Sequence, residues 1–217
     1  MKLQQLCIPL TLITALFAGG CSSMYYNTME KLGVHKRDIL VDRVEEARDA
    51  QVDSKQQFKS SLDRFNKELN ISGGDLEEKY NKLNDEYEKS EKQAANVSDR
   101  IEKVQSVADA LFAEWKEEIK QYSNPAMRKN SEAQLKQTKG QYNKLLKAMK
   151  RAESKMAPVL AAFKDQVLYL KHNLNARAIA SLKGELTKIE TNVSRLIKEM
   201  ESSIKEADTF ISNLSDN

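Results

Sequence analysis

Residues 76–115 read LEEKYNKLNDEYEKSEKQAANVSDRIEKVQSVADALFAEW. Within them Leu76, Tyr80, Leu83, Tyr87, Ser90, Ala94, Val97, Ile101, Val104, Ala108, Leu111 and Trp115 recur alternately four and three positions apart. An average spacing of about 3.5 residues keeps these side chains on one stripe of a helix, the pattern of a coiled-coil seam. Charged residues such as Glu78, Asp85, Lys89, Lys92, Arg100 and Lys103 fall between them and read as a solvated face with i,i+4 pairing.

The preceding segment answers in nearly the same phase, through Leu40, Val44, Ala47, Gln51, Ser54, Phe58, Leu62, Phe65 and Leu69. Ile71-Ser72-Gly73-Gly74-Asp75 separates the two. Gly73 and Gly74 form the expected hairpin turn, because glycine adopts positive φ at little cost, and Asp75 is a good N-cap for the second helix. Residues 27–70 and 76–122 therefore predict an antiparallel hairpin. Its register sets Phe58 opposite Tyr87, Ser54 near Ser90, Gln51 near Ala94 and Val44 near Ile101. The middle of this seam is small or polar, a waist that reads either as a flex point or as a tolerated imperfection.

Pro125 after Ser123-Asn124 suits the first turn of another helix. A third seam runs through Leu135, Thr138, Tyr142, Leu145, Met149, Ala152, Met156, Phe163, Val167 and Leu170. It keeps its phase across Pro158, which favours a kinked continuous helix over a break. A last seam runs from Leu182 through Ile189, Val193, Leu196, Met200 and Ile204 to Leu214. Asn173-Leu174-Asn175 is either a turn, giving four arms of similar length, or part of one very long helix. Residues 159–170 are apolar over most of a helix circumference and predict a segment buried on all sides. The fold class expected is all-α: an elongated antiparallel coiled-coil hairpin continuing into a long helical bundle, with hairpin 27–122 and C-terminal helices 125–214.

The N-terminus carries a different message. Leu6 to Ala18 is an apolar run too short to span a bilayer core of about 30 Å, preceded by Lys2 and followed by Ala18-Gly19-Gly20-Cys21. That arrangement resembles a bacterial lipoprotein signal peptide with its lipobox. The resemblance implies removal of residues 1–20, acylation of Cys21, and a single elongated helical periplasmic domain over 21–217. Ala18 stands where the family pattern prefers Leu. Ser22 in place of Asp after the cysteine implies, by the same resemblance, the outer membrane, with the domain facing the periplasm. Ser215-Asp216-Asn217 lacks the terminal Lys of the lipoprotein that is covalently stapled to peptidoglycan.

Without residues 1–20, 34 basic residues face 32 acidic ones, a balance that gives no reason to expect a nucleic-acid partner. Cys7 leaves with the signal, so Cys21 is the sole remaining cysteine and its sulfur is committed to lipid. Disulfide and thiol chemistry are thereby excluded. His35 and His172 have no second ligand at helical spacing, so no metal site is expected, and no nucleophile, zincin or phosphate-loop motif occurs. No cofactor, no small-molecule substrate and no catalysis are expected. Tyr25 and Tyr26, just after the anchor, and Lys36 and Arg37 beyond them are candidate membrane-interface contacts. Tyr80, Tyr87, Tyr142, Met127, Met149 and Met156 read as core, or alternatively as an exposed stripe for a partner helix.

Several runs carry a further resemblance. They are Met24-Tyr25-Tyr26, Glu30 to Arg37 (EKLGVHKR), Phe65 to Asp75, Glu153 to Leu160 (ESKMAPVL) and Leu168 to Ala176 (LYLKHNLNA). In these the chain resembles DUF2959, a family of proteobacterial lipoproteins without an assigned activity. The resemblance implies a location and an architecture and no mechanism. The functional expectation is a membrane-anchored, non-catalytic envelope scaffold or adaptor, bound to the membrane through its covalent lipid. Its other partner is an unidentified envelope protein or a second copy, met through the helices. The alternative is a helical periplasmic chaperone or membrane-stress protein that binds unfolded clients or lipid.

Overall fold

The computed structural model describes Tyr26, Met29 and residues 33–70 and 75–215. Four helices make up nearly all of it: α1 (Lys36–Asn70), α2 (Leu76–Ile119), α3 (Pro125–His172) and α4 (Ala176–Ser215). The helices are 35 to 48 residues long, or about 50–70 Å at 1.5 Å per residue. Each packs against its neighbours in chain order, and α4 closes the ring on α1. The result is an up-and-down four-helix bundle with one continuous core.

Helix boundaries follow their local chemistry. The Asp75 carboxylate accepts from the Glu77 and Glu78 amides, and Asn124 does the same for Ala126 and Met127 ahead of the Pro125 turn. The alternative at 173–175 resolves as a turn. The Asn175 side chain accepts from the Ala178 amide, while the Asn173 side-chain amide donates to the Tyr169 carbonyl. Pro158 lies inside a continuous α3. Gly73 and Gly74 fall outside the described residues, but Lys79 donates its ammonium to the Glu68 carbonyl across that connection, closing the exposed end of α1.

One boundary differs from expectation. The first long helix begins at Lys36 rather than near residue 27. Gly33 has φ +84°, and the Val34 amide donates to the Met29 carbonyl at 3.1 Å. This six-residue closure ends the helical backbone that holds Tyr26 and Met29. A glycine is required there because the left-handed conformation is strained for other residues.

The hairpin register is as read from the seam. Glu46 pairs with Arg100 at 2.6 Å and Gln57 bonds Glu86 at 3.0 Å. Ser90, however, bonds Ser61 at 2.9 Å rather than Ser54, whose hydroxyl meets the Met156 sulfur of α3. The second hairpin thus lies alongside the first. Arg48–Asp208, Lys55–Glu201 and Asn66–Glu190 form a ladder between the middle stretches of α1 and α4.

The core is layered. Phe58, Phe65 and Phe163 are fully buried, and Phe163 stacks on Phe65 with centroids 4.5 Å apart. Nearer the chain ends Phe112, Tyr142 and Phe210 form a second cluster, with centroids 5.4 and 6.4 Å apart. Between the two lies the waist. Gln51, Ser54 and Ser203 are all fully buried there. Gln51 lies between the ladder positions Arg48 and Lys55, and Ser203 between Glu201 and Asp208, so they share a level. The segment 159–170 is not buried all round. Leu168 and Tyr169 are 45% and 42% exposed, because α3 has only two helical neighbours and its outer arc faces water.

The described core runs from Tyr26 to Leu214. No described helix is long and apolar enough to cross a membrane.

Candidate functional site

The end of the bundle that receives the N-terminal segment also holds the α2–α3 turn and the last turn of α4. Tyr26 is 6% exposed and its hydroxyl donates to Ser106 of α2 at 3.2 Å. Lys36 is 3% exposed and its ammonium meets the Glu114 carboxylate at 3.0 Å. Arg37 donates to the Leu214 carbonyl, at the negative end of the α4 dipole. Tyr26 and Lys36, expected as candidate membrane-interface contacts, are buried against the bundle instead of standing free on its surface. Their polar ends bond α2, and Arg37 ties α1 to the C-terminal turn. Cys21 and Tyr25 lie outside the described residues.

Beside Arg37 the helices leave a cavity of about 220 Å³. Leu111 and Trp115 form its apolar wall, and Gln134, Gln137 and Gln141 line the other side at helical spacing. The Trp115 indole donates to Ser131 at 2.8 Å and fixes that wall. The lining holds amides, one guanidinium and the Glu118 carboxylate. Thr138 adds a hydroxyl to that lining, and His35 and His172 stand at opposite ends of the bundle. No cluster of three His, Cys, Asp or Glu placed to hold a metal occurs among the described residues.

The shifted titrations along the bundle have structural causes. Burial raises the Tyr142 phenol to about 12, with help from the charge of Asp109. Tyr87 is likewise raised to about 12, because its hydroxyl donates to Glu91 at 2.6 Å. Burial opposes ionisation of Glu46, yet Arg43 and Arg100 together hold its carboxyl below the usual range. Of the residues read as seam or partner stripe, Tyr142, Met149 and Met156 are buried, Tyr80 and Tyr87 are half-buried, and Met127 is 54% exposed at the start of α3.

Over residues 25–214, nearly the whole described bundle, the chain matches the family model of a protein of unknown function, DUF2959. The chain belongs to DUF2959. No curated protein matches it.

A charged feature of this DUF2959 bundle escapes a reading by overall charge, because the chain as a whole has a formal charge of only +3. Helix α1 balances eight basic with eight acidic residues, and α4 six with six. Helix α2 carries seven basic against twelve acidic, and α3 eleven basic against three acidic. Between Arg128 and Lys155 only Glu132 and Glu153 oppose nine cations. Counting charge helix by helix exposes this asymmetry.

Proposed function

We propose that this protein is a lipoprotein acylated at Cys21, held in the outer membrane with its bundle in the periplasm, and acting there without catalysis as an envelope scaffold or adaptor. The observation that carries the reading is the joining of a lipobox-like N-terminus to a rod whose core runs its whole length. Two or more acyl chains make membrane release negligible, since each buried methylene contributes about 0.8 kcal/mol. A rod with a rigid core then offers a binding surface at a fixed place relative to the bilayer. The Tyr26–Ser106 and Lys36–Glu114 contacts support this. They hold Tyr26 and Lys36, which follow Cys21 in the chain, on the bundle.

Metabolic labelling with a fatty-acid probe, followed by fractionation, tests the anchor. The wild type should take up label and sediment with outer membrane, while Cys21→Ser should do neither. Label on the Cys21→Ser chain would overturn the reading. In-cell crosslinking from exposed positions of α3 and α4 tests the adaptor role, and capture of copies of the same chain alone would replace an adaptor with a homo-oligomeric structural element.

A further inference from the structure

We propose that the outer face of α3 is a docking surface for an anionic phospholipid bilayer, one that works without the acyl anchor. Lys129, Lys136, Lys144, Lys147, Arg151 and Lys155 fall within one half of the helix circumference at 100° per residue, flanked by Lys139 and Lys150. From 129 to 155 they span about 39 Å. Arg151 pairs with Glu199 and Lys150 with Glu153. Among the described residues, no carboxylate lies within ion-pair distance of Lys129, Lys136, Lys139, Lys144, Lys147 or Lys155. So dense a row of like charge repels itself and is relieved by an anionic counter-surface.

The shape of the row favours a plane. It is straight and lies on the outside of a rod, whereas the phosphates of a nucleic-acid duplex wind out of a straight rod's reach within half a turn, about 17 Å. It also lacks the exposed aromatic platforms on which single strands stack. At its α2 side the row borders an open groove with Lys116, Lys120, Lys136 and Lys139 around it against the single carboxylate of Glu132, and with Ile119 and Leu135 on the floor. Apolar floor with cationic rim matches the boundary between headgroups and acyl chains. Gly140 sits in that groove and in the middle of the row, and a Cβ placed there would meet nothing within 4 Å. The backbone is thus bare where the surface would approach closest. Tyr26 itself docks on α2 at Ser106 and not on the row. The acidic excess of α2 opposes docking through that face, and the balanced α1 and α4 offer no comparable attraction to an anionic plane.

The test uses residues 21–217 with Cys21→Ser, made without the signal segment and hence without lipid, since the described core lies wholly inside it. It is co-sedimented with vesicles of phosphatidylglycerol and phosphatidylethanolamine, or of phosphatidylcholine alone, at rising salt. Binding is expected only to the anionic vesicles, and salt should weaken it. Lys136→Gln, Lys139→Gln, Lys144→Gln and Lys147→Gln together should weaken it at least tenfold. The matched control, Lys59→Gln, Lys67→Gln, Lys198→Gln and Lys205→Gln, removes equal charge from α1 and α4 and should bind as wild type, with circular dichroism confirming that both variants are folded. Equal loss in both variants, or equal binding to neutral vesicles, overturns the proposal. So does tighter binding to duplex DNA, or charge-dependent self-association that excludes vesicles. Failure here leaves acylation of Cys21 untouched, because that is read separately by the labelling experiment.

Discussion

The phenylalanine layer and the waist lie two to three helical turns apart in one core, yet they are built from opposite materials. Phe58, Phe65 and Phe163 fill their level with stacked rings that have no polar atoms to satisfy. At the waist both polar atoms of the Gln51 amide and the Ser203 hydroxyl are buried without a hydrogen-bond partner in the structure. Burying an aromatic ring stabilises a fold, while each buried and unpaired polar group costs about 1–3 kcal/mol. A bundle of uniform outline is therefore uneven in strength along its length. Phe112, Tyr142 and Phe210 close the other side of the waist as a second aromatic layer.

The most direct way to break the contrast is Phe163→Ala. It removes the ring shared by both stacked pairs and should cost about 3–5 kcal/mol in urea unfolding. A loss below about 1 kcal/mol would mean that the layer collapses freely and is no stronger than the waist. The lower aromatic layer has its own signature in alkali. The Tyr142 phenol titrates at about 12 when folded, against 10.0 for an unperturbed tyrosine. Its contribution is thus fully present below about pH 10 and is lost as the pH rises toward 12, by about 2–3 kcal/mol. Tyr142→Phe should flatten that alkaline limb, and an unchanged limb would place the sensitivity elsewhere.

Gln51→Leu works from the other side. It replaces an unpaired amide with an apolar side chain of similar volume and should stabilise the bundle by about 1–2 kcal/mol. Destabilisation instead would show that the amide has a partner in solution and that the waist is satisfied. The smallest effect is expected outside both layers. Gly140→Ala adds a methyl where nothing lies within 4 Å, and should raise stability by about 1 kcal/mol or less through helix propensity alone. Measured in the same urea series, it sets the scale on which the core substitutions are compared.

Much of this was legible in the amino-acid order. Seam periodicity placed the first two helices and the apolar stripes of the rest, leaving open whether a turn at 173–175 divides them, and Asp75 and the Ser123-Asn124 pair marked two helix starts because a short polar side chain ahead of an apolar run satisfies free amides. The waist was visible as Gln51, Ser54, Ser90 and Ala94 in successive seam positions. Other features were present but were read on the wrong scale. Gly33 sits in a run rich in charged residues, so its positive φ was hidden inside an apparent helix. The cations of α3 were averaged away against the acids of α2. Tyr26 and Lys36 looked like interface residues because sequence distance from Cys21 says nothing of Ser106 and Glu114, which lie about eighty positions away and supply their partners.

The amino-acid order by itself determined the all-α class, the antiparallel hairpin and its register, since a 3.5-residue seam and its caps are local properties of the chain. Tertiary structure decided what the seams meet. Closing α4 on α1 set the second hairpin alongside the first and made a ring with four outer faces. It buried Gln51 with Ser203 and turned Leu168 and Tyr169 toward water. It also left the cations of α3 side by side on one face. These are consequences of which helices are neighbours, and helical periodicity names the buried stripe of each helix without naming the partner that buries it.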